Sequence, residues 1–366
     1  MILLRNNRYS TQHGVVLIAM LTILVAIFTS LMISNLSLDK LKANRVQENA
    51  KTLNLAKEAL LGFGLLQTPP GTLPCPDTTG DGLENTMVVG CQSQRGLFPY
   101  RTLNLGEISD RSGARLWYAL ELAYAANALG ERNPSRVTTL TLDGNLVAAV
   151  LIAPGSAIEE QNRVLLNVTD FLEGDNADAN LDTYVRPQSD IENDQIIGLS
   201  LETYWPLMAR PALNAARQLL VSYQAVCNEY PFAAVFGGPY NSVNNLQIGS
   251  LPLSSALPIE WGLACASGTA PTPPSWLINH WQEELYYSLC TSGEGSCIQT
   301  VGGSINTGSA IVIAPGIILG AQSRPSGVTG NYFELENISL PNTQFRDLKT
   351  INHSASYNDT TNIITP

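Results

Sequence analysis

The sequence predicts an α+β protein in which a long N-terminal membrane-spanning helix is followed by two tandem, related α+β units with antiparallel strands. Three observations predict it. Residues 15–33, VVLIAMLTILVAIFTSLMI, form an apolar run whose only polar members are Thr22, Thr29 and Ser30. Further on, strand-like alternation around an Asp143-Gly144 turn signals antiparallel pairing. A stretch of 29 residues then recurs without a gap 161 positions later. The implied boundaries are 1–14 for a leader, 15–66 for the helix, 67–200 for a first unit and 205–366 for a second.

At 1.5 Å per residue, the nineteen positions of the run span about 28 Å, close to the roughly 30 Å hydrocarbon core of a bilayer. No Gly or Pro occurs between Val15 and Leu61, so nothing stops the helix at a membrane surface. It can run on for about 70 Å. Past Ser37 the pattern turns amphipathic: Val46, Ala50, Leu53, Ala56, Leu60 and Phe63 recur at three- and four-residue steps, with Lys51, Lys57 and Glu58 between them. One half suits lipid and the other suits packing on a globular domain.

Ahead of the run, MILLRNNRYSTQHG carries Arg5 and Arg8, lacks acids and ends in Gly14 directly against the apolar segment. A secretory signal peptide would lose its apolar segment at a small-residue site beyond it, and this run is longer than a typical h-region. The pattern resembles the type IV pilin and pseudopilin family, whose prepilin peptidase cuts after a glycine on the cytoplasmic side and leaves the apolar segment attached. The resemblance covers about residues 1–66 and implies cleavage between Gly14 and Val15, with methylation of the new N-terminus. It also implies a subunit of a type IV pilus or a type II secretion filament. Such a subunit crosses the bacterial inner membrane once, with its globular part in the periplasm or on an extracellular filament. Its partners would be the inner membrane, the prepilin peptidase and other pilin or pseudopilin subunits. Most pilins carry Glu at the fifth mature residue, where it meets a neighbour's N-terminal amine; here that position is Ala19. An intramembrane carboxylate is costly, so its absence changes the packing partners. In lacking it the chain resembles large minor pseudopilins of type II secretion and some minor pilins, which implies a place at or near a filament tip.

Formal charge is -11, and losing Arg5 and Arg8 with the leader makes it -13. So acidic a surface repels phosphate backbones, which excludes nucleic acid as a partner. Lys40, Lys42 and Arg45 follow the span and nearly offset the leader's arginines, so charge alone does not set orientation. Six cysteines, Cys75, Cys91, Cys227, Cys265, Cys290 and Cys297, all lie after the helix. An even count with no CxxC pair and few histidines points to disulfides in an oxidising compartment rather than to zinc. Fifteen connectivities are open to six cysteines. Local closure favours Cys75 with Cys91 and Cys290 with Cys297, leaving Cys227 with Cys265.

Gly62, Gly64 and then Pro69-Pro70-Gly71 end the helix. LPCPDTTGDGLEN is a turn-rich loop closing at Cys91. Residues 112–129 read as a helix with Leu116, Ala119, Leu120, Ala123 and Ala126 on one face. Val137, Thr139 and Thr141 then alternate into the Asp143-Gly144 turn, followed by an apolar strand from Leu146 to Ile152 that Pro154-Gly155 ends. The acidic stretch EGDNADANLD reads as loop.

Residues 148–176 align on 309–337 with nine of twenty-nine positions identical. These include Ile152-Ala153-Pro154-Gly155 with Ile313-Ala314-Pro315-Gly316, and the pairs Gln161/Gln322, Arg163/Arg324, Glu173/Glu334 and Asn176/Asn337. LWYAL at 116 and LYYSL at 285 echo each other. Each unit then reads helix, loop with cysteine, helix, hairpin and acidic loop. Arg163 with Glu173, and Arg324 with Glu334, stand ten residues apart and read as bidentate staples tying the loop after the strand to its return.

No HExxH, GxSxG or Walker pattern occurs, so no enzyme is expected. Past the leader the histidines are His280 and His353, and neither reads as a base; Trp276, Trp281, Tyr286 and Tyr287 read as core. One loop invites a ligand. Asp77, Thr79 and Asp81 place oxygens at alternate positions followed by Gly, like the start of a calcium loop, although Val88 stands where an EF-hand has its bidentate Glu. Calcium is the one candidate cofactor, against the competing reading of a turn pinned by Cys75 and Cys91. Asp175, Asp178 and Asp182 form a second acidic loop. The expected function is a structural and assembly subunit of minor pilin or pseudopilin type. The alternative is a membrane-anchored periplasmic binding or enzymatic domain with an uncleaved anchor.

Overall fold

A computed structural model of the chain describes residues 12–126, 128, 131–158, 161–187, 192–253, 264–265, 267–290, 295–301, 306–334, 337–338, 343–346 and 358–365. It is mixed α+β with an apolar N-terminal helix. Residues Met1–Lys51 form one unit and Thr52–Pro366 another. Helix α1 covers Gln12–Leu66. The first half of the larger unit holds β1 (Arg95–Leu97), β2 (Trp117–Leu120), β3 (Thr141–Leu142), β4 (Asn145–Ala153), β5 (Thr183–Tyr184) and β6 (Gln195–Ser200). Helix α2 (Leu201–Cys227) leads to β7 (Ile248–Ser250), β8 (Ala264–Cys265), β9 (Gly268–Thr269), α3 (Ser275–Trp281) and β10 (Tyr286–Leu289). The chain continues through β11 (Ile298–Val301), β12 (Thr307–Gly308), β13 (Ala310–Ala314), β14 (Gln344–Arg346) and β15 (Thr360–Ile364).

Two antiparallel sheets organise this unit, β1-β2-β4-β6 and β7-β10-β13-β15. Their registers correspond. Tyr118 stands opposite Gly96 and Leu151, and Tyr287 opposite Gly249 and Val312. Both glycines sit where another segment crosses the sheet, since a Cβ there would strike the carbonyl oxygen of Asp77 or of Ala234. Beside each sheet, one short strand pairs antiparallel and then parallel: β3 with β4 and β5, β11 with β12 and β14.

Each sheet is covered on both faces. Tyr118, Leu120, Ala149 and Leu151 of the first sheet share one core with Tyr287, Leu289, Ala310 and Val312 of the second, with α2 and with Leu53, Ala56 and Leu60 of α1. On the opposite faces, Trp117 and Ile152 pack under Phe171 and Leu172, and Tyr286 and Ile313 under Tyr332 and Phe333. At about 1.5–3 kcal/mol for each large apolar side chain buried, these layers supply the main drive to fold. Trp281, Tyr286 and Tyr287 are buried as core aromatics. Of the expected amphipathic face, Leu53, Ala56 and Leu60 are buried, Ala50 and Phe63 are half-buried and Val46 is exposed.

Two expectations need correction. Residues 112–129 are not a helix: Trp117–Leu120 is a strand between β1 and β4, and Leu122–Tyr124 is a single 3-10 turn capped by Glu121. Four consecutive buried residues satisfy a helical face as readily as a strand covered on both sides, so periodicity did not separate them. Val137 and Thr139 lie outside the hairpin, which begins at Thr141; Glu121 holds the Thr139 and Leu140 N–H groups instead. The hairpin turn is as expected, with Asp143 (φ 52) and Gly144 (φ 76) both left-handed, the type I′ geometry.

Candidate functional site

Gly14 and Val15 both lie within α1. Gly14 through Met32 are long and apolar enough to cross a membrane, and the large apolar side chains from Val15 to Met32 are each 56–72% exposed. Thr22 Oγ1 donates to the Ala19 carbonyl and Thr29 Oγ1 to that of Val25, each at 2.9 Å, so these hydroxyls are satisfied inside the helix, as hydrocarbon requires. Ala19 is exposed among them. No neighbour lies within 4 Å of a Cβ placed on Gly14. Arg5 and Arg8 lie outside the described residues, as does His353.

The acidic loop is built differently from a cation cage. Asp77 is 1% exposed, and its Oδ1 accepts from the N–H groups of Thr79 (2.9 Å) and Gly80 (2.7 Å) and from the Thr79 hydroxyl (3.2 Å). Its Oδ2 accepts from Gly82 N–H at 2.7 Å, which Gly80 and Gly82 allow by taking φ of +82°. The loop therefore aims donors at the carboxylate, whereas a bound cation needs carbonyl and carboxylate oxygens aimed at itself. Asp81 Oδ1 accepts from Leu83 N–H. Among the described residues no three His, Cys, Asp or Glu gather as metal ligands. Asp77, Thr79 and Asp81 thus form a buried carboxylate-centred turn, the arrangement set against the calcium loop in the sequence. In the second acidic loop, Asp182 accepts from the Gln94 amide and the Asp178 carbonyl from Arg95.

The recurring polar residues form the same network twice. Arg163 donates to the carbonyls of Asp170 and Gly155 and to Gln161 Oε1, and its guanidinium lies 5.2 Å from the Phe171 ring centre. Arg324 donates to the carbonyls of Asn331 and Gly316 and to Gln322 Oε1, 5.0 Å from the Tyr332 ring. Neither arginine pairs with its glutamate. Gln161 Nε2 reaches Glu173 Oε1 at 2.8 Å and Gln322 Nε2 reaches Glu334 Oε1 at 2.7 Å, so the staple runs through glutamine. A guanidinium has five donors, and turn carbonyls together with the glutamine oxygen accept from it in both networks.

Sequence reasoning missed the other end of each staple. Glu173 Oε2 accepts the N–H groups of Asn193 and Asp194, Glu334 Oε2 that of Asn358, while Asp194 Oδ2 and Asp359 Oδ2 accept the N–H of Glu173 and of Glu334. Asp194 Oδ1 and Asp359 Oδ1 are buried with no donor among the described residues. A carboxyl that carries its own proton explains this, because it becomes the donor to the glutamate it faces. Burial and then the Glu173 charge push Asp194 up to about 8, and burial with Glu334 raises Asp359 in the same sense.

Cys75 is bonded to Cys91, Cys227 to Cys265 and Cys290 to Cys297. The last bond stands where the first half uses a carboxylate. Glu121 N–H donates to the Ala148 carbonyl and Cys290 N–H to that of Ser309; Glu121 Oε2 accepts Thr139 N–H at 2.8 Å, and Cys290 Sγ accepts Cys297 N–H at 2.9 Å. His280 Nδ1 accepts Arg132 N–H, and burial with the nearby Arg132 charge lowers its pKa. Comparison with family models, with curated proteins and with solved structures finds no match for this chain.

Proposed function

We propose that this chain is a minor pilin- or pseudopilin-like subunit, cleaved between Gly14 and Val15, that builds or caps a type IV pilus or type II secretion-type filament at its tip. The observation that carries the reading is Gly14. A glycine inside a helix costs about 1 kcal/mol relative to alanine, yet nothing packs against this one and its backbone takes no left-handed angle. Folding supplies no reason for it at the junction of leader and apolar run. A peptidase that must admit the bare backbone does. The internally satisfied Thr22 and Thr29 support a span in the inner membrane, and three disulfides support a globular part in the periplasm or outside the cell. Ala19, in place of the glutamate that pairs shaft subunits, supports a place at the tip.

We also infer that residues 67–200 and 205–366 are two copies of one unit. Matching registers, the paired Arg-Gln-Glu-Asp networks and the Tyr118 and Tyr287 hydroxyls, which donate to the Pro74 and Pro231 carbonyls at 3.1 Å, support it. Filaments sheared from cells expressing a tagged chain test the assignment. Scarce, end-located tag is the expected result; tag that stays in the membrane while filaments form normally contradicts it.

A further inference from the structure

The described residues of the two halves differ in what lies over the segment before Pro74 and the segment before Pro231. In the first, Leu73 is fully buried, because the segment after β2 crosses over it: Leu73 N–H donates to the Tyr124 carbonyl at 2.8 Å and Ala126 N–H to the Leu73 carbonyl at 3.2 Å. Seventeen residues join Glu121 to Thr139 there, while six join Cys290 to Cys297 in the second half. Tyr230 precedes Pro231 as Leu73 precedes Pro74, but it is only half-buried. In the second half, the described residues at the end of α2, in the segment before β7 and at the end of β10 line a cavity of about 300 Å³.

The lining of that cavity is chemically selective. Gln224, Asn228 and Asn245, all solvent-exposed, line it with residues that carry side-chain amides, and Tyr230 and Phe232, both half-buried, add aromatic residues. Asn228 (φ 62) and Asn245 (φ 64) are two of four non-glycine residues with positive φ among those described, so the backbone sets the direction in which each side chain leaves it. Cys227–Cys265 anchors the chain beside Asn228, and Cys290 forms part of the wall. No Lys or Arg lines the cavity among the described residues, and its one charge is Glu229, which disfavours anions.

We propose that this cavity binds a neutral, hydroxyl-rich ligand, a non-ionic oligosaccharide. An amide offers both donors and acceptors, and each sugar hydroxyl is itself both. Aromatic ring faces are negative and attract the C–H face of a sugar ring. The cavity is as large as the smaller ligand sites of proteins. The inference does not depend on the filament assignment.

The test uses the full chain in a sugar-free detergent against immobilised neutral oligosaccharides, with sialylated glycans and short peptides alongside. Asn228→Gly and Asn245→Gly keep the left-handed backbone while deleting each amide, and Gln224→Ala removes the third from an exposed helical position. Selective binding of a neutral oligosaccharide, weakened at least about tenfold in the triple variant at unchanged melting temperature, is the expected result. Binding of anionic glycans or peptides alone, no binding to any probe, or equal binding by the variant would overturn the proposal.

Discussion

Replacing Asp194 and Asp359 together by Asn should remove most of the pH dependence of folding stability while leaving the fold intact. An aspartate titrates near 3.8 when unfolded, whereas Asp194 in the folded chain is pushed up to about 8 by burial and by Glu173. Because the folded value is the higher one, its contribution is complete below about pH 4 and is lost as the pH rises through 8. Within that window each pH unit weakens the fold by about 1.4 kcal/mol per carboxyl. From pH 5 to pH 7 this weakening is a few kcal/mol, a large share of a typical net stability of about 5–15 kcal/mol, and Asp359 acts in the same direction. Asparagine reproduces the protonated acid: its oxygen accepts the glutamate N–H, and its amide donates to the glutamate carboxylate. Full-length protein in detergent micelles, melted at pH 5, 6, 7 and 8 and followed by near-ultraviolet circular dichroism, reads the effect. Wild type should lose melting temperature as pH rises. The double variant should be flatter, with a residual slope from Glu284, which burial raises to about 7. A wild-type melting temperature that climbs from pH 5 to pH 8, or a double variant with the wild-type slope, refutes the reasoning.

Gly14→Val should block processing in cells that carry a prepilin peptidase, because a branched side chain hinders backbone entry; leader loss at the same bond would count against it. Ala19→Glu should raise the amount of this chain in sheared filaments by supplying the carboxylate that meets a neighbour's amine, and unchanged abundance is the contrary result. Asp77→Ala strands the N–H groups of Thr79, Gly80 and Gly82 and should cost about 3 kcal/mol or more in chemical denaturation, with millimolar calcium leaving the wild-type melting temperature unmoved. A calcium-dependent rise would favour the metal reading of that loop. Cys75→Ser with Cys91→Ser opens a loop of sixteen residues and should cost about 3 kcal/mol; an unchanged denaturation midpoint would show that the turn around Asp77 holds without the bond.

What could be read from the sequence follows from where the interactions are local. The α1 span declares itself because apolar residues run on without Gly or Pro, and the β3–β4 hairpin because Asp143-Gly144 takes angles few other pairs accept. Trp117–Leu120 misled because its burial on both faces comes from segments far along the chain. The Arg163 and Glu173 pair was placed in the right network with the wrong bond, since only the fold shows that turn carbonyls surround the guanidinium and that Gln161 spans the gap. Asn193-Asp194 and Asn358-Asp359 stand 165 residues apart rather than 161, so the gapless repeat stops short of them. An Asn-Asp pair just before each return strand was the available signal. The cavity beside Tyr230 was not legible, since its lining comes from α2, the segment before β7 and the end of β10, which only the fold brings together.

The mass of the N-terminal peptide of this chain, purified from cells with an active prepilin peptidase, tests the central claim most directly. The account predicts a peptide that begins at Val15 and carries one methyl group on its amine. A chain that still begins with the residues ahead of Gly14, or that has lost the apolar run altogether, contradicts it.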